Sequence, residues 1–442
     1  MSAWLSALVP DPSDRVPVSV SNFLTIFTPA ALAYYTAAVL VILPRTLFLR
    51  LTLLPGTLWL LFRAATLLDA AQPMGEVDPG YEFLGLGLVL TMFAAGMRVI
   101  EWAFVQGPYR RLTAGKAAPS TPNGHSNGYI PSSNGHANGH IHTAPPGSSS
   151  KTSEPISVLT AMYDALDLSF NFRGLGWNWA DGWYFPPESR PTSSTPAFLW
   201  ATLVSAVKHL AVLDTTLTSL RHLLPPNAGT SVGASIYDYT LSPVPRYAKS
   251  SVLGFTGGVT IYATIQLAYD VATIVGILIL RQTPSQWPTF FDSPWLSRSL
   301  TECWAKRWHQ VFRGSFIAIG AKPLSALVGR IGSVMGAFFW SAVLHDFSMW
   351  GMGRGTEFSS VGGFFLAMGL GCIFEALFKK VTGMRVGGLA GWAWTMCWLA
   401  GWSNLLIDAW ARRGLIGSKF IPVGYMPSEL IMTYIIGPHL HN

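Results

Sequence analysis

The sequence predicts an all-α, polytopic transmembrane helical bundle, and three observations carry that prediction. Half of the 442 residues are hydrophobic and 12% are charged, whereas a soluble domain has about a quarter of its residues charged. The apolar residues gather into runs of roughly 20, the length a helix needs to cross a hydrocarbon core about 30 Å thick. These runs do not alternate polar with apolar residues, as the strands of a membrane barrel would.

The first span is expected from about Asn22 to Leu43, with Pro44 and Arg45 marking its exit. The preceding Asp11, Asp14 and Arg15 lack the basic region of a cleavable leader, so this run is expected to be retained. A second span runs from about Leu47 to Leu68, interrupted by Arg50, Pro55 and Arg63, and a third from about Tyr81 to Val105. Arg45 and Arg50 lie between the first two, acidic Asp69, Glu76 and Asp78 before the third, and Arg110, Arg111 and Lys116 after it. The positive-inside tendency then places the N-terminus in a lumen, taken as that of the endoplasmic reticulum, and the segment after Val105 in the cytosol.

Residues 1–107 thus form an N-terminal set of membrane helices. Residues 108–155 turn to Gly, Ser, Pro, Asn and His, with the near-repeats Asn123-Gly-His-Ser-Asn-Gly and Asn134-Gly-His-Ala-Asn-Gly-His. Too little apolar surface is present there to offset the ordering entropy, so a disordered cytosolic loop is expected. Its His125, His136, His140 and His142 sit on flexible spacing that preorganises no metal, and no metal is expected.

Residues 156–442 form the second membrane domain. From about Ala197 to Leu224 an apolar pattern is broken by Lys208, His209, Asp214, Arg221 and His222, which suits an interfacial or partly buried amphipathic helix better than a free span. Stronger runs follow at about Val252 to Leu280, Ser333 to Trp350, Val361 to Phe378 and Val386 to Ala409, while Leu430 to Ile436 is too short to assign. The count is about seven to nine membrane helices. The net charge of +7 is scattered over loops and segment ends, which argues against nucleic-acid binding. Cys303, Cys372 and Cys397 lack a CxxC spacing and read as packing residues.

An ionisable side chain within a membrane segment is costly and is a functional candidate until a structural partner explains it. His345 lies in the middle of Phe338 to Trp350. On a helix, Ser341 and Ser348 share its face and can orient the imidazole, while Asp346 points about 100° away. One reading is a buried histidine that joins neighbouring helices; the other is a base, since its ordinary pKa near neutrality suits taking a proton from an alcohol. A second cluster, Trp304-Ala305-Lys306-Arg307-Trp308-His309-Gln310-Val311-Phe312-Arg313, combines cations, aromatics and a histidine. It suits a membrane boundary or a phosphate site. In the third, Arg173-Gly174-Leu175-Gly176-Trp177-Asn178-Trp179, two glycines imply close backbone approach and not a dinucleotide fingerprint.

Taken together and in this order, the three clusters resemble the wax-synthase-like branch of the membrane-bound O-acyltransferase (MBOAT) superfamily, common in fungi. Arg173 to Trp179 matches its Arg-Gly-aliphatic-Gly-Trp-Asn-Trp element. Arg307 to Gln310 with Arg313 matches Arg-Trp-His-Gln, and Phe338 to His345 matches the helix bearing the catalytic histidine. The likeness covers about residues 155 to 410. One departure is Cys303-Trp304-Ala305, where the family has Phe-Trp-Gly.

The resemblance implies an MBOAT-type bundle perforated by a channel, with acyl-CoA arriving from the cytosol as co-substrate and a lipophilic alcohol from the membrane lipid. It implies His345 as general base and His309 as a second catalytic residue. Lys306, Arg307 and Arg313, with Trp308 and Gln310, are the implied coenzyme A-binding set, and no permanently bound cofactor is implied. By analogy with fungal members, the reading leans to acetyl transfer from acetyl-CoA to a terpenoid or meroterpenoid secondary metabolite. Long-chain transfer to a wax or sterol alcohol, or a transporter lined by the same residues, are the alternatives.

Overall fold

The computed structural model describes residues 11, 14–71, 80–112, 156–422, 424–431 and 433–434. The expected loop over 108–155 therefore lies outside the described residues from 113 onward, as do Glu76 and Asp78.

Among the described residues, seven helical segments are long and apolar enough to cross a membrane. In chain order they are α1 (Val20–Ile42), α2 (Leu47–Leu67), α3 (Glu82–Phe104), α5 (Thr195–Leu223), α6 (Pro243–Leu278), α7 (Arg313–Trp350) and α8 (Phe358–Thr382). Between α3 and α5 lies the shorter α4 (Val158–Phe170), and after α8 come α9 (Gly388–Ala411) and α10 (Pro427–Ile431). α9 has the length of a span, but five tryptophans dilute its aliphatic character. Two-residue strands β1 (Val16–Pro17) and β2 (Leu68–Asp69) pair in parallel and tie the first helix to the end of the second.

Two apolar cores organise the bundle. One, holding buried Ile42, Leu61 and Trp102, joins α1 to α4, and the other, holding Leu217, Met368 and Ile407, joins α5, α6, α8 and α9. The arginine that interrupts the second run is absorbed inside: Arg50 donates to the carbonyl of Trp102 and, at 2.8 Å, to that of Val105.

The region read as an interfacial or partly buried amphipathic helix from Ala197 to Leu224 is α5, a continuous, partly buried 29-residue helix packed along α6 and long and apolar enough to span. Several of its polar residues have internal partners. His209 lies 3.2 Å from Asp270, Asp214 accepts from Ser428, and Arg221 donates to the carbonyls of Ile416 and Ser418. Polar interruptions that meet partners on neighbouring segments are compatible with a span.

α7 is 38 residues long, about 57 Å as a straight rod, nearly twice a bilayer core. It does not run straight. Val328 (φ −129°, ψ 19°) and Gly329 (φ 61°, ψ −143°) leave helical geometry, and the chain reverses there. Leu324 then lies opposite Gly332 and Gly320 opposite Gly336, an antiparallel register. At the latter crossing a methyl on either glycine would meet the other's carbonyl oxygen at 2.4 Å. Continuing the register brings Phe312 and Phe316 against Leu344. The hairpin thus draws together residues some 35 positions apart, and His309 and His345 are such a pair.

Candidate active site

The Arg173 to Trp179 element is a scaffold. Gly174 (φ 75°) and Gly176 (φ 77°) occupy the left-handed region, and a side chain on Gly174 would strike Ala180 and Trp179. Buried Trp177 donates to Asp167 at 2.8 Å, and Asn178 pairs with the backbone of Arg110. Arg173 reaches across to the carbonyls of Pro288 and Thr289, fixing the loop that carries Phe290 and Phe291.

Those two rings help wall His309. Phe290, Phe291, Trp308 and Phe312 all lie within 6.0 Å of its ring, centroid to centroid. Gln310 closes the turn that presents it by donating to the carbonyls of Trp304 and Trp308. Burial, with neighbouring His345 and Arg173 adding to it, pushes the His309 imidazole down to about 3, so the ring is neutral. Its Nδ1 is buried and has no partner among the described residues.

His345 sits on the second limb of α7. Its Nδ1 is 2.7 Å from the backbone carbonyl of Ser341, which can only accept, so Nδ1 carries the hydrogen and Nε2 keeps its lone pair. The expected help from Ser341 thus comes through its backbone, while Ser348 turns away and donates to the carbonyl of Leu344. The imidazole lies against Phe365 at 4.4 Å and faces Trp410 at 6.4 Å. Asp346, as expected, points elsewhere and accepts from the backbone of Glu357. Glu375 is likewise engaged, accepting from the backbone amides of Leu300 and Thr301 and from Trp394.

Both histidines line one cavity of about 2260 Å³. That exceeds the roughly 300–1,000 Å³ typical of a pocket for one small ligand and leaves room for two substrates. Several nitrogens on its lining residues are buried without a partner: Trp179 Nε1, Trp304 Nε1, Trp410 Nε1 and one terminal nitrogen of Arg313.

The predicted cations separate. Lys306 lines the cavity with its ammonium 5.5 Å from the Tyr184 ring centroid, and Arg313 lines it stacked 5.2 Å from Trp183. Arg307 is spent on protein partners: Glu302 at 2.7 Å, the Asp292 carbonyl at 2.9 Å and the Asp292 carboxylate at 3.6 Å. Sequence reasoning missed further cations on the cavity, Lys322 and Arg330 on the hairpin, Lys379 on α8 and Arg385 beyond it. They come from separate elements, and each alone reads as an ordinary charged helix end.

Residues 287–367 match the membrane bound O-acyl transferase family, and this stretch holds both His309 and His345. The chain is similar to Acetyltransferase spyB of Aspergillus fumigatus, 27% identical over 34% of this chain and 29% of that protein. It is similar to Acetyltransferase TRI7 of Fusarium sporotrichioides, 26% identical over 30% of this chain and 36% of that protein. It is also similar to Acetyltransferase pyr8 of Aspergillus fumigatus, 23% identical over 60% and 68%. The chain thus spans about a third of the length of the first two relatives. The likeness to the membrane bound O-acyl transferase family rests on residues 287–367, set within a bundle of membrane-length helices.

Proposed function

We propose that the protein is an acyltransferase that moves an acetyl group from acetyl-CoA to a hydroxyl of a lipophilic metabolite of terpenoid or meroterpenoid type. The observation that carries the reading is the convergence of His345 and His309 on one cavity, each held neutral or in a single tautomer by its surroundings. Acetyl transfer is supported by the names of the relatives, each an acetyltransferase.

In this reading the acceptor hydroxyl donates to the free Nε2 of His345, which takes the proton as the oxygen attacks the thioester carbonyl. The tetrahedral intermediate collapses, the C–S bond breaks, and the proton held by His345 passes to the departing thiolate. A neutral His309 donates one hydrogen bond toward the developing oxyanion. Lys306 and Arg313 meet the phosphates of the donor, with Gln310 and Trp308 shaping the turn between them. Arg307 keeps that turn in place through Glu302 and Asp292. The charge distribution supports an N-terminus in the lumen of the endoplasmic reticulum and residues 108–155 in the cytosol.

The test is release of free thiol from acetyl-CoA by the purified protein when an alcohol is supplied. Thiol release that no alcohol stimulates sinks the reading.

A further inference from the structure

The cavity carries a second polar centre, on α5 and α6. Asp270 is almost fully buried, its side chain 1% exposed, in a segment that crosses the apolar bundle. Ser205 donates to it at 2.8 Å and Gln266 at 2.9 Å, and His209 Nδ1 lies 3.2 Å from it. A carboxylate only accepts, so Nδ1 of His209 carries the hydrogen, and in the neutral ring Nε2 presents a lone pair. The hydroxyl of Tyr262 sits 3.2 Å from that Nε2 and, with the ring neutral, donates to it. The Tyr262 oxygen is left with acceptor capacity, and His209 and Tyr262 both line the cavity.

Two further observations give this centre a direction. Tyr262 packs against Phe291 at 4.8 Å, and Phe291 packs against His309 at 5.6 Å, so one aromatic ring separates this centre from His309. Nearby Val204, Val212 and Phe255, on α5 and α6, line the same cavity and are exposed.

We propose that Tyr262, set by His209 and Asp270, is a recognition subsite for a second hydroxyl of the acceptor, on the cavity that holds the hydroxyl that is acylated and one ring's width from His309. The reading rests on the acyl-transfer function above. The chain of donors fixes its chemistry: Asp270 sets the tautomer of His209, His209 takes the Tyr262 hydrogen, and the phenol oxygen accepts from the ligand. A hydroxyl satisfies that oxygen, and a ketone does not. The subsite thus selects a rigid diol over both the matching mono-alcohol and the matching hydroxyketone, since a buried polar group left unpaired is penalised.

The experiment uses the full chain in lipid nanodiscs and three steroid probes on one skeleton: a diol, its mono-alcohol and its hydroxyketone. Equilibrium binding is measured for each, and thiol release from acetyl-CoA separately. The wild type is expected to bind the diol about tenfold more tightly than either relative. Tyr262→Phe should bring the three to within about twofold with thermal stability unchanged. His209→Asn, which cannot hold the same span between Asp270 and Tyr262, should do likewise. Equal or absent binding of the three probes by the wild type, or a diol preference that survives in both variants, overturns the subsite and leaves Asp270 a clamp between α5 and α6. A diol preference without any thiol release overturns the acyl-transfer reading instead.

Discussion

Gly320 and Gly336 cross backbone to backbone within α7, each so close that a methyl on one would lie 2.4 Å from the carbonyl oxygen of the other. Only glycine permits two helical limbs to approach to that degree. The close crossing aligns the limbs so that the turn bearing His309 meets the helix bearing His345.

Replacing either glycine by alanine must push the limbs apart, because the obstacle is backbone and cannot rotate aside. Gly320→Ala and Gly336→Ala are each expected to lose about 1–3 kcal/mol of stability, the usual cost of overpacking. Thiol release should fall by about tenfold or more. Gly56→Ala, with nothing within 4 Å of the added methyl, should change neither. Thermal unfolding and thiol release on the three variants check this, and full activity in Gly336→Ala would show that the crossing does not set the site.

His345→Ala removes the proposed base while leaving the helix intact. Turnover should drop about 10²-fold to 10⁴-fold, the usual contribution of a positioned acid or base. Protein yield and affinity for acetyl-CoA should change little, since the side chain acts mainly in the transition state. A variant that loses activity only in proportion to lost protein would return His345 to a packing role.

His309 makes a pH prediction whose sign follows from its burial. In the unfolded chain it protonates below about 6.5, but in the folded protein only near 3. Its contribution to stability is therefore fully present above 6.5 and is lost as the pH falls from 6.5 toward 3. Unfolding midpoints in detergent should decline over that window, and less steeply in His309→Gln than in the wild type. Identical slopes would mean the imidazole is not held neutral by its surroundings.

The sequence shows most of the bundle because its strongest signal, long apolar runs, is local: the starts and ends of α1, α2 and α3 fall within a few residues of the expected bounds. α5 was harder to place, because His209 and Asp214 look like an interface until Asp270 and Ser428, 61 and 214 positions away, supply their partners. The hairpin in α7 was hidden for the same reason. Gly320, Gly329 and Gly336 carry no periodicity that announces a reversal, and only their mutual contact gives them meaning. At the site, His345 stood out as an ionisable residue within a membrane run, and His309 as part of a cationic, aromatic cluster at a membrane boundary. The grouping of Lys322, Arg330 and Lys379 around the cavity was not legible, since each sits on a different turn of the chain.

The cations around the cavity yield the last prediction, because the structure divides residues that the sequence groups. Arg313 has a buried nitrogen without a partner and stacks on Trp183, whereas Arg307 is held by Glu302 and Asp292. Removing the Arg313 charge takes away a donor that the protein itself does not use, so Arg313→Gln should leave folding nearly intact and raise the KM for acetyl-CoA more than that for the alcohol. Lys306→Gln should act in the same direction and less strongly, since its ammonium already rests on Tyr184. Arg307→Gln should do the reverse. Glu302, already engaged by the Arg298 amide, would lose its counter-charge and the turn before His309 its brace. Thermal stability should therefore fall, and kcat with it, before any selective change in the donor KM. Measuring both KM values and the unfolding midpoint on the three variants separates the roles. If Arg307→Gln alone raises the donor KM while Arg313→Gln does not, the phosphates meet Arg307, and its ion pairs open when the donor binds.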